Sequence, residues 1–217
     1  HGMSPSELAG TIGEYDGVLI RSAVKITSET LAKPGRLTVI ARAGVGVDNV
    51  DVEAATQAGI LVLNTPDANT ISTAEHTVAM MLALHHRIVE AHTHVAGGGW
   101  NRAAYEGDQL AGRALGIVGF GRIGRAVAQR ALGLEMKVIA YDPFVRGETT
   151  LNGAVALAQN LEQLLRESDC VTLHASLSDE TRHLVGPAQI SLMKRGAKLI
   201  NCARGALVDE PALAQAL

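Results

Sequence analysis

Short apolar runs rich in β-branched residues alternate with helix-like segments along the whole chain. Such runs, when helices separate them, predict the strands of a parallel sheet that is covered on both faces. They fall into an early group at residues 17–20, 37–41 and 60–63 and a later group at residues 114–118, 137–141, 170–173 and 197–201. We therefore predict two α/β blocks.

A long helical pattern at residues 72–84 lies between the two blocks. It opens with Ser72 and Glu75, which have the spacing of a capping box, and we predict that this helix crosses from one domain to the other. Three glycines before Trp100 predict a break ahead of the second block, with a plain surface turn as the alternative. The predicted segments are residues 1–71, 72–96 and 97–217.

The composition argues against several classes of function. The 217 residues are 47% hydrophobic, which is enough for a substantial core, and carry a formal net charge of −3. Lys and Arg are dispersed, so no nucleic-acid partner is predicted. No signal-peptide pattern and no run of ~18 apolar residues is found, so we predict a cytoplasmic protein without a membrane partner.

The cysteines and histidines do not predict a disulfide or a metal site. Cys170 and Cys202 each adjoin an apolar run, which favours two buried thiols in a reducing compartment. Four histidines lack zinc-ligand spacing and are interpreted as a solvated helix face: His85, His86, His92 and His94.

A glycine motif, Gly119-x-Gly121-x-x-Gly124, directly follows the predicted strand 114–118. It opens a helical pattern whose apolar residues fall on one face. The first glycine permits a tight turn, the second lets the backbone approach a pyrophosphate, and the third lets the helix pack closely. Amides at the helix start then bind phosphate, which predicts a Rossmann-type dinucleotide site.

Asp142 ends the next predicted strand, 137–141, and lies 18 residues after Gly124. A carboxylate at this place accepts hydrogen bonds from the adenosine ribose and repels a 2′-phosphate, so NAD is predicted rather than NADP. The alternative is that Asp142 and Pro143 only form a turn after a strand.

Several motifs together resemble the D-2-hydroxyacid dehydrogenase family, and within it the members that act on D-3-phosphoglycerate. They are Arg21-Ser22, RAGVGVDNVD at 42–51, NTP with Asn69 following, AEHT, GRIG with YDP, and NCARGALVDE at 201–210. The resemblance implies a partial, flavodoxin-like α/β substrate-binding domain in residues 1–71 and an interdomain helix and connection in residues 72–96. It implies a Rossmann-type, doubly wound NAD-binding domain, incomplete at its C-terminal end, in residues 97–217.

The resemblance also implies an activity. The family exchanges a hydride between C2 of a D-2-hydroxy acid and NAD, and the implied substrate is D-3-phosphoglycerate, oxidised to 3-phosphohydroxypyruvate in serine biosynthesis. Glycerate, glyoxylate or lactate are alternative substrates, and an NAD-sensing corepressor is an alternative class. A homodimer is implied, paired through the nucleotide domain with the helix and arm around residues 86–100. Trp100 is interpreted either as an interface anchor or as a core residue.

Arg204 is the catalytic residue that the resemblance implies. A guanidinium is always charged and can hold a carboxylate and a neighbouring carbonyl in a planar fork. An arginine that caps a strand end or pairs with Asp209 is the alternative.

The other implied site residues lie in both blocks. Small residues at 43–46 expose backbone amides that can reach an anion. Implied substrate contacts are Arg21, Ser22, Arg42, Val45, Gly46 and Asn69, with surface ion pairs as the alternative for the two arginines. Implied cofactor contacts are Val45, Gly119, Gly121, Arg122, Ile123, Gly124, Asp142, His174, Ala175, Cys202, Ala203 and Arg204.

The chain departs from the family pattern in three places. The family's general acid/base histidine, and the glutamate that raises its pKa, are expected beyond Leu217. A strand and a helix are expected before Met3. Ala175-Ser176 also replaces the Thr-Pro pair common in the family. We therefore predict a chain that binds NAD without turnover.

Overall fold

The computed structural model describes residues 3–147 and 149–217, which form two compact units, one ending at Asn69 and the other running from Thr70 to Leu217. The helices are α1 (Pro5–Thr11), α2 (Val52–Gln57), α3 (Thr70–His85), α4 (Ile88–Ala96), α5 (Arg122–Gly133), α6 (Leu161–Glu167), α7 (Pro187–Leu192) and α8 (Glu210–Ala216). The strands are β1 (Gly17–Ile20), β2 (Val39–Arg42), β3 (Leu61–Asn64), β4 (Ala114–Val118), β5 (Lys137–Tyr141), β6 (Thr149–Thr150), β7 (Val155–Leu157), β8 (Cys170–Leu173) and β9 (Lys198–Asn201).

The first unit contains a parallel three-stranded sheet in the order β1-β2-β3. Ile20 and Ile40 belong to a core that lies on one face of this sheet. On the other face Leu19, Leu61 and Leu63 are 74%, 58% and 47% exposed. The sheet therefore buries one face within this unit.

The second unit contains a six-stranded sheet in the order β6-β7-β5-β4-β8-β9. Its neighbouring strands are parallel except for β6 and β7. One apolar core joins the sheet to α3 and α5. A second core joins the sheet to α6, to Val185 just before α7, and to Leu207 and Val208 between β9 and α8. Cover on both faces explains why β4 and β8 are nearly continuous apolar runs, interrupted in β8 only by the buried Thr172. The predicted α/β class with parallel sheets is confirmed.

Helix α5 follows from the spacing of its apolar residues. Val127 and Ala131 are fully buried, and Ile123 and Leu134 pack against the same core. These residues recur on one helical face, as predicted. Arg130 on the partly exposed side of α5 pairs with Glu75 of α3 at 3.6 Å.

Two elements differ from the sequence expectation. Helix α3 begins at Thr70, so Ser72 and Glu75 lie inside the helix and the predicted capping box is wrong. The strands β6 and β7 were not predicted, because two and three residues are too short for a pattern of alternation to be recognised.

Buried polar residues give a further correction. His85 at the end of α3 is only 3% exposed, and neither ring nitrogen has a hydrogen-bond partner among the described residues. The prediction of a solvated face is therefore wrong for His85. Cys170 is buried, which raises the pKa of its thiol to about 12, and Cys202 is half-buried.

Within residues 3–147 and 149–217, no helix combines the length and apolar character needed to cross a lipid bilayer. The same residues contain no cluster of three or more His, Cys, Asp or Glu side chains suited to a metal ion.

Candidate functional site

The predicted site residues of the second unit follow the carboxyl ends of neighbouring parallel strands. Val118, the last residue of β4, lies beside Tyr141 of β5 and Leu173 of β8. Leu173 in turn lies beside Asn201, the last residue of β9. The glycine turn, Asp142, His174-Ala175 and the 202–204 segment therefore lie along one edge of the sheet, which is where open α/β sheets bind ligands.

Gly119 makes the turn after β4 possible. Its φ is +89°, a conformation that residues with a side chain rarely adopt. A Cβ built at Gly119 would lie 2.6 Å from the backbone atoms Ala175 N and His174 C. The turn is thus packed directly against the chain that leaves β8, and glycine is required there by both conformation and space.

Gly121 and Gly124 differ in what surrounds them. Gly121 is the N-cap of α5 and makes no side-chain cap, and a Cβ built there meets nothing within 4 Å among the described atoms. A Cβ at Gly124 would collide with the carbonyl oxygen of Gly119. Gly124 therefore permits close packing, whereas Gly121 leaves an open approach to the positive end of the helix. This arrangement fits a bound pyrophosphate.

The two residues between these glycines face differently. Arg122 is exposed, while the side chain of Ile123 packs against the core below the helix. A cofactor contact by Ile123 would therefore come from its backbone in the first turn of α5.

Asp142 lies beside the glycine turn, although 22 residues separate it from Phe120. The Phe120 N–H donates to one carboxylate oxygen at 2.8 Å, and the Phe144 N–H donates to the other at 2.9 Å. A carboxylate has about four acceptor positions, so two remain for ribose hydroxyls. Asp142 also forms the turn after the strand that was the alternative interpretation, because its carboxylate accepts from the N–H of Phe144 two residues later.

His174 is held at the end of β8. Its backbone N–H donates to the Val118 carbonyl at 2.7 Å. In its ring, Nε2 lies 3.0 Å from the hydroxyl of Thr172. Its Nδ1 is buried without a partner among the described residues. Burial lowers the pKa of His174 to about 4, so the ring is neutral near pH 7.

The segment that carries Arg204 is braced by an asparagine that the sequence analysis gave no role. Asn201 accepts a hydrogen bond from the Ala203 N–H at 3.0 Å and donates one to the Arg204 carbonyl at 2.9 Å. Arg204 is half-buried and has an extended backbone, and one of its guanidinium nitrogens donates to the Ala203 carbonyl at 3.0 Å. Asp209, its alternative partner, caps α8 by accepting from the Ala212 N–H at 3.0 Å.

In the first unit, the predicted residues also gather where parallel strands end. Ile20, Arg42 and Asn64 are neighbours in the register of the three strands, so Arg21 and Ser22 lie beside the 43–46 loop. The Arg42 guanidinium covers Gly44 where a Cβ would lie, and the Arg42 Nε is buried without a partner among the described residues.

Neither Arg21 nor Arg42 forms an ion pair within the part of the chain that the structure describes. The described residues therefore give no support to the surface ion-pair interpretation of these two arginines. Asn69 is exposed at the end of the unit.

Two more asparagines brace this group and were missed in the sequence. The Asn64 amide donates to the Val45 carbonyl at 2.6 Å. The Asn49 amide donates to the carbonyls of Arg21 at 3.1 Å and Val24 at 2.6 Å. Each asparagine lies within a quoted motif, Asn49 in residues 42–51 and Asn64 in NTP, but the motif does not reveal its hydrogen-bond partner.

Comparisons with known proteins bear on this site. Residues 78–217 match the family model described as D-isomer specific 2-hydroxyacid dehydrogenase, NAD binding domain. The chain is 44% identical over 216 residues to D-3-phosphoglycerate dehydrogenase from Methanocaldococcus jannaschii, covering 100% of this chain and 41% of that protein. It is 45% identical over 203 residues to the enzyme of that name from Bacillus subtilis, covering 94% of this chain and 38% of that protein. The chain thus spans about two fifths of the length of these relatives.

Solved structures are similar over nearly the whole chain. The TT0316 protein from Thermus thermophilus has a TM-score of 0.90 at 38% identity, covering 100% of this chain and 68% of that one. A D-lactate dehydrogenase from Aquifex aeolicus, complexed with NAD and lactic acid, has a TM-score of 0.89 at 35% identity, covering 96% of this chain and 62% of that one. The chain belongs to the D-isomer specific 2-hydroxyacid dehydrogenase family, with its NAD-binding domain in residues 78–217.

Proposed function

We propose that this chain is part of an NAD-dependent oxidoreductase that oxidises D-3-phosphoglycerate to 3-phosphohydroxypyruvate. The observation that carries the dinucleotide part is the open approach at Gly121 beside the Asp142 carboxylate, both at one edge of the second unit's sheet. When bound, NAD accepts the hydride from C2 of the hydroxy acid. The relatives named as D-3-phosphoglycerate dehydrogenases support the choice of substrate.

The proposed role of each group in the second unit follows from its chemistry. The start of α5 binds the pyrophosphate with backbone N–H groups and the helix dipole, and Asp142 accepts from the ribose. His174, Ala175, Cys202 and Ala203 would line the same edge around the rest of the cofactor. Arg204 would hold the substrate carboxylate and stabilise charge on the C2 oxygen, and the Asn201 brace supports a fixed position for it.

In the first unit, we propose that substrate contacts come from Arg21, Ser22, Arg42, Val45, Gly46 and Asn69. The two arginines lack carboxylate partners among the described residues, and a phosphate group would supply the missing negative charge. Val45 and Gly46 offer backbone amides to the substrate carboxylate and the nicotinamide side. Lactic acid, with which the Aquifex aeolicus enzyme is complexed, has no phosphate and would leave these two guanidinium groups without a negative partner.

We also propose that this chain binds NAD without turning over. A proton must leave the C2 hydroxyl, and a general base works best when its pKa is near the working pH. His174 is the histidine placed at the cofactor edge, and burial lowers its pKa to about 4. It is therefore a weak base at neutral pH, which supports the proposal of binding without turnover.

A homodimer through the second unit is a further part of the proposal. Helix α4 and the chain after it present apolar side chains to solvent: Ile88, Val89 and Val95 are 51%, 65% and 54% exposed, and Trp100 is 79% exposed. Trp100 is thus not a core residue of this chain. Exposed apolar side chains that include a large aromatic are typical of protein interfaces.

The test combines binding and chemistry. Titration calorimetry should show binding of NAD, and absorbance at the nicotinamide band should then be followed with D-3-phosphoglycerate and, separately, D-lactate. We expect binding without a change in absorbance from this chain. In a longer form of the protein that turns over, kcat/KM should be higher for D-3-phosphoglycerate than for D-lactate. Arg21→Ala should lower kcat/KM for D-3-phosphoglycerate more than it lowers kcat/KM for D-lactate. Equal use of both acids would contradict the proposed substrate.

A further inference from the structure

Arg125 in α5 places its charged group over the aromatic ring of the glycine turn. The guanidinium carbon lies 4.7 Å from the centre of the Phe120 ring, a distance at which the ring face attracts a cation. Phe120 is only 1% exposed and belongs to the apolar core of the second unit. The ring therefore contacts the core and a cation at the same time.

The two residues flank the start of α5 in a particular way. Gly121 is the N-cap, so Phe120 is the residue before the cap and Arg125 is the fourth residue of the helix. A contact between side chains at these two positions fixes the angle at which the chain enters a helix. The usual pair is apolar on both sides, whereas here one side is an aromatic ring and the other is a cation.

The guanidinium of Arg125 is also anchored to the edge of the sheet. Its Nη1 donates to the hydroxyl of Thr150 at 3.2 Å. Thr150 belongs to β6 and lies beside Val155 of β7, which is fully buried. Arg125 therefore joins the start of α5 to the edge strand, and the Phe120 ring is not its only contact.

The backbone of Phe120 extends this constraint to Asp142. The Phe120 N–H donates to one oxygen of the Asp142 carboxylate at 2.8 Å. Because the ring and this N–H belong to one residue, a fixed ring limits the rotation of the peptide group that holds the carboxylate. The chain of contacts runs from Arg125 through Phe120 to Asp142.

We propose that Arg125 is a positioning residue for dinucleotide binding, which acts through the Phe120 ring to hold the glycine turn and the Asp142 carboxylate in place. This inference rests on the proposed function, in which Asp142 binds the ribose and the start of α5 binds the pyrophosphate. Groups that are fixed before a ligand arrives lose less conformational freedom on binding, which raises the affinity.

The test is calorimetric titration of the chain with NAD. Arg125→Ala should weaken NAD binding by about five- to tenfold, because the contact with the ring is lost. Arg125→Lys keeps a cation in reach of the ring without the planar guanidinium, and its affinity should lie between those of Arg125→Ala and the unchanged chain. Arg130→Ala is the matched control on the same helix. Arg130 contacts the Ala126 carbonyl and Glu75, so its replacement should leave NAD binding unchanged.

Titration with NADP separates positioning from simple attraction of phosphate. If the charge of Arg125 only attracted phosphates, its loss would weaken NADP, the more negative ligand, at least as much as NAD. A poorly held Asp142 carboxylate instead favours NAD less and repels the 2′-phosphate less. The ratio of NAD to NADP affinity should therefore fall in Arg125→Ala.

A double-mutant cycle tests whether Arg125 acts through Asp142. In the Asp142→Asn variant the charged acceptor is already absent, so adding Arg125→Ala should weaken NAD by a clearly smaller factor than it does in the unchanged chain. The same factor in both backgrounds would mean that the two residues act independently.

The outcomes separate two failures. If the unchanged chain does not bind NAD, the proposed function fails and this inference fails with it. If it binds NAD, an unchanged affinity in Arg125→Ala, an unchanged NAD to NADP ratio, or equal factors in the cycle would overturn the positioning role alone. If Arg125→Ala is unfolded at the temperature of titration, Arg125→Met replaces it under the same criteria, since it keeps apolar cover over the ring and removes the charge.

Discussion

Asp142 has a structural role in the fold, and the proposed function gives the same side chain a role in binding NAD. Its two oxygens already hold the N–H groups of Phe120 and Phe144. Its negative charge is therefore fixed beside the glycine turn, where it would favour ribose hydroxyls and repel a 2′-phosphate.

Replacement of Asp142 tests both roles. Asp142→Asn keeps the shape but removes the charge, and we expect NAD to bind roughly ten- to a hundredfold more weakly, as is typical for hydrogen bonds to charged groups. The preference for NAD over NADP should shrink, because the repulsion of the 2′-phosphate is lost. Calorimetric titration with both dinucleotides measures this, and an unchanged preference would contradict the assignment.

His85 makes a second prediction at the residue scale, for stability. Burial is the main cause that lowers its pKa, and the nearby charges of Lys198 and Arg113 lower it further, against the opposing effect of Asp108. The unfolded chain therefore binds more protons just below the ordinary value of 6.5. Stability that is present above pH 6.5 is lost as the pH falls towards the folded pKa. His174 has the same sign, with its window between about 6.5 and about 4.

His85→Leu removes two unpartnered buried nitrogens. We expect the melting temperature at pH 7 to rise by roughly 2–4 °C, which corresponds to about 1 kcal/mol in a chain of this size. The gain over the unchanged chain should widen as the pH is lowered to 5. His86→Leu, at an exposed neighbour whose charge also lowers the pKa of His85, is the matched control. It should leave the melting temperature at pH 7 unchanged and should alter the pH profile much less than His85→Leu does. Parallel pH profiles for His85→Leu and the unchanged chain would argue against the account.

At the scale of elements, the two glycines Gly119 and Gly121 in the turn between β4 and α5 have different surroundings. Gly119 is required by the packing of the turn, and Gly121 is not. The same small substitution at the two glycines should therefore have opposite consequences.

Gly119→Ala should destabilise the fold by about 1–3 kcal/mol, because it forces a side chain into a positive φ and against the backbone after β8. Gly121→Ala should leave the unfolding free energy nearly unchanged and should sharply weaken NAD binding, since its methyl group would occupy the approach to the helix start. Chemical denaturation and calorimetric titration of both variants provide the measurements. A stable Gly121→Ala variant with full NAD affinity would exclude the pyrophosphate from this position.

The sequence was sufficient to predict the strands of the second unit, the glycine turn and the acidic residue beside it, because their signals are local. The glycine spacing, the acidic residue after β5 and the strands around them follow from short-range patterns. The braces do not: Asn49 bonds Arg21 across 28 residues, and Asn64 bonds Val45 across 19. The burial of His85 was missed because the neighbouring His86 is exposed, so residue type and position gave no distinction.

At the scale of the whole molecule, the exposed apolar residues of α4 and Trp100 predict self-association. Val89→Glu places a charge among these residues and should convert a dimer into a monomer at micromolar concentration. Light scattering coupled to gel filtration measures the mass directly. Tyr15→Glu introduces the same charge elsewhere and should not alter the mass. A dimer that persists in Val89→Glu would remove α4 from the interface.

The most direct test of the central claim, that the second unit binds NAD through the glycine turn and Asp142, is calorimetric titration of this chain with NAD and with NADP. The account predicts one NAD site per chain, clearly weaker binding of NADP, and loss of the NAD signal in Gly121→Ala. Equal binding of the two dinucleotides, or full NAD binding by Gly121→Ala, would contradict it.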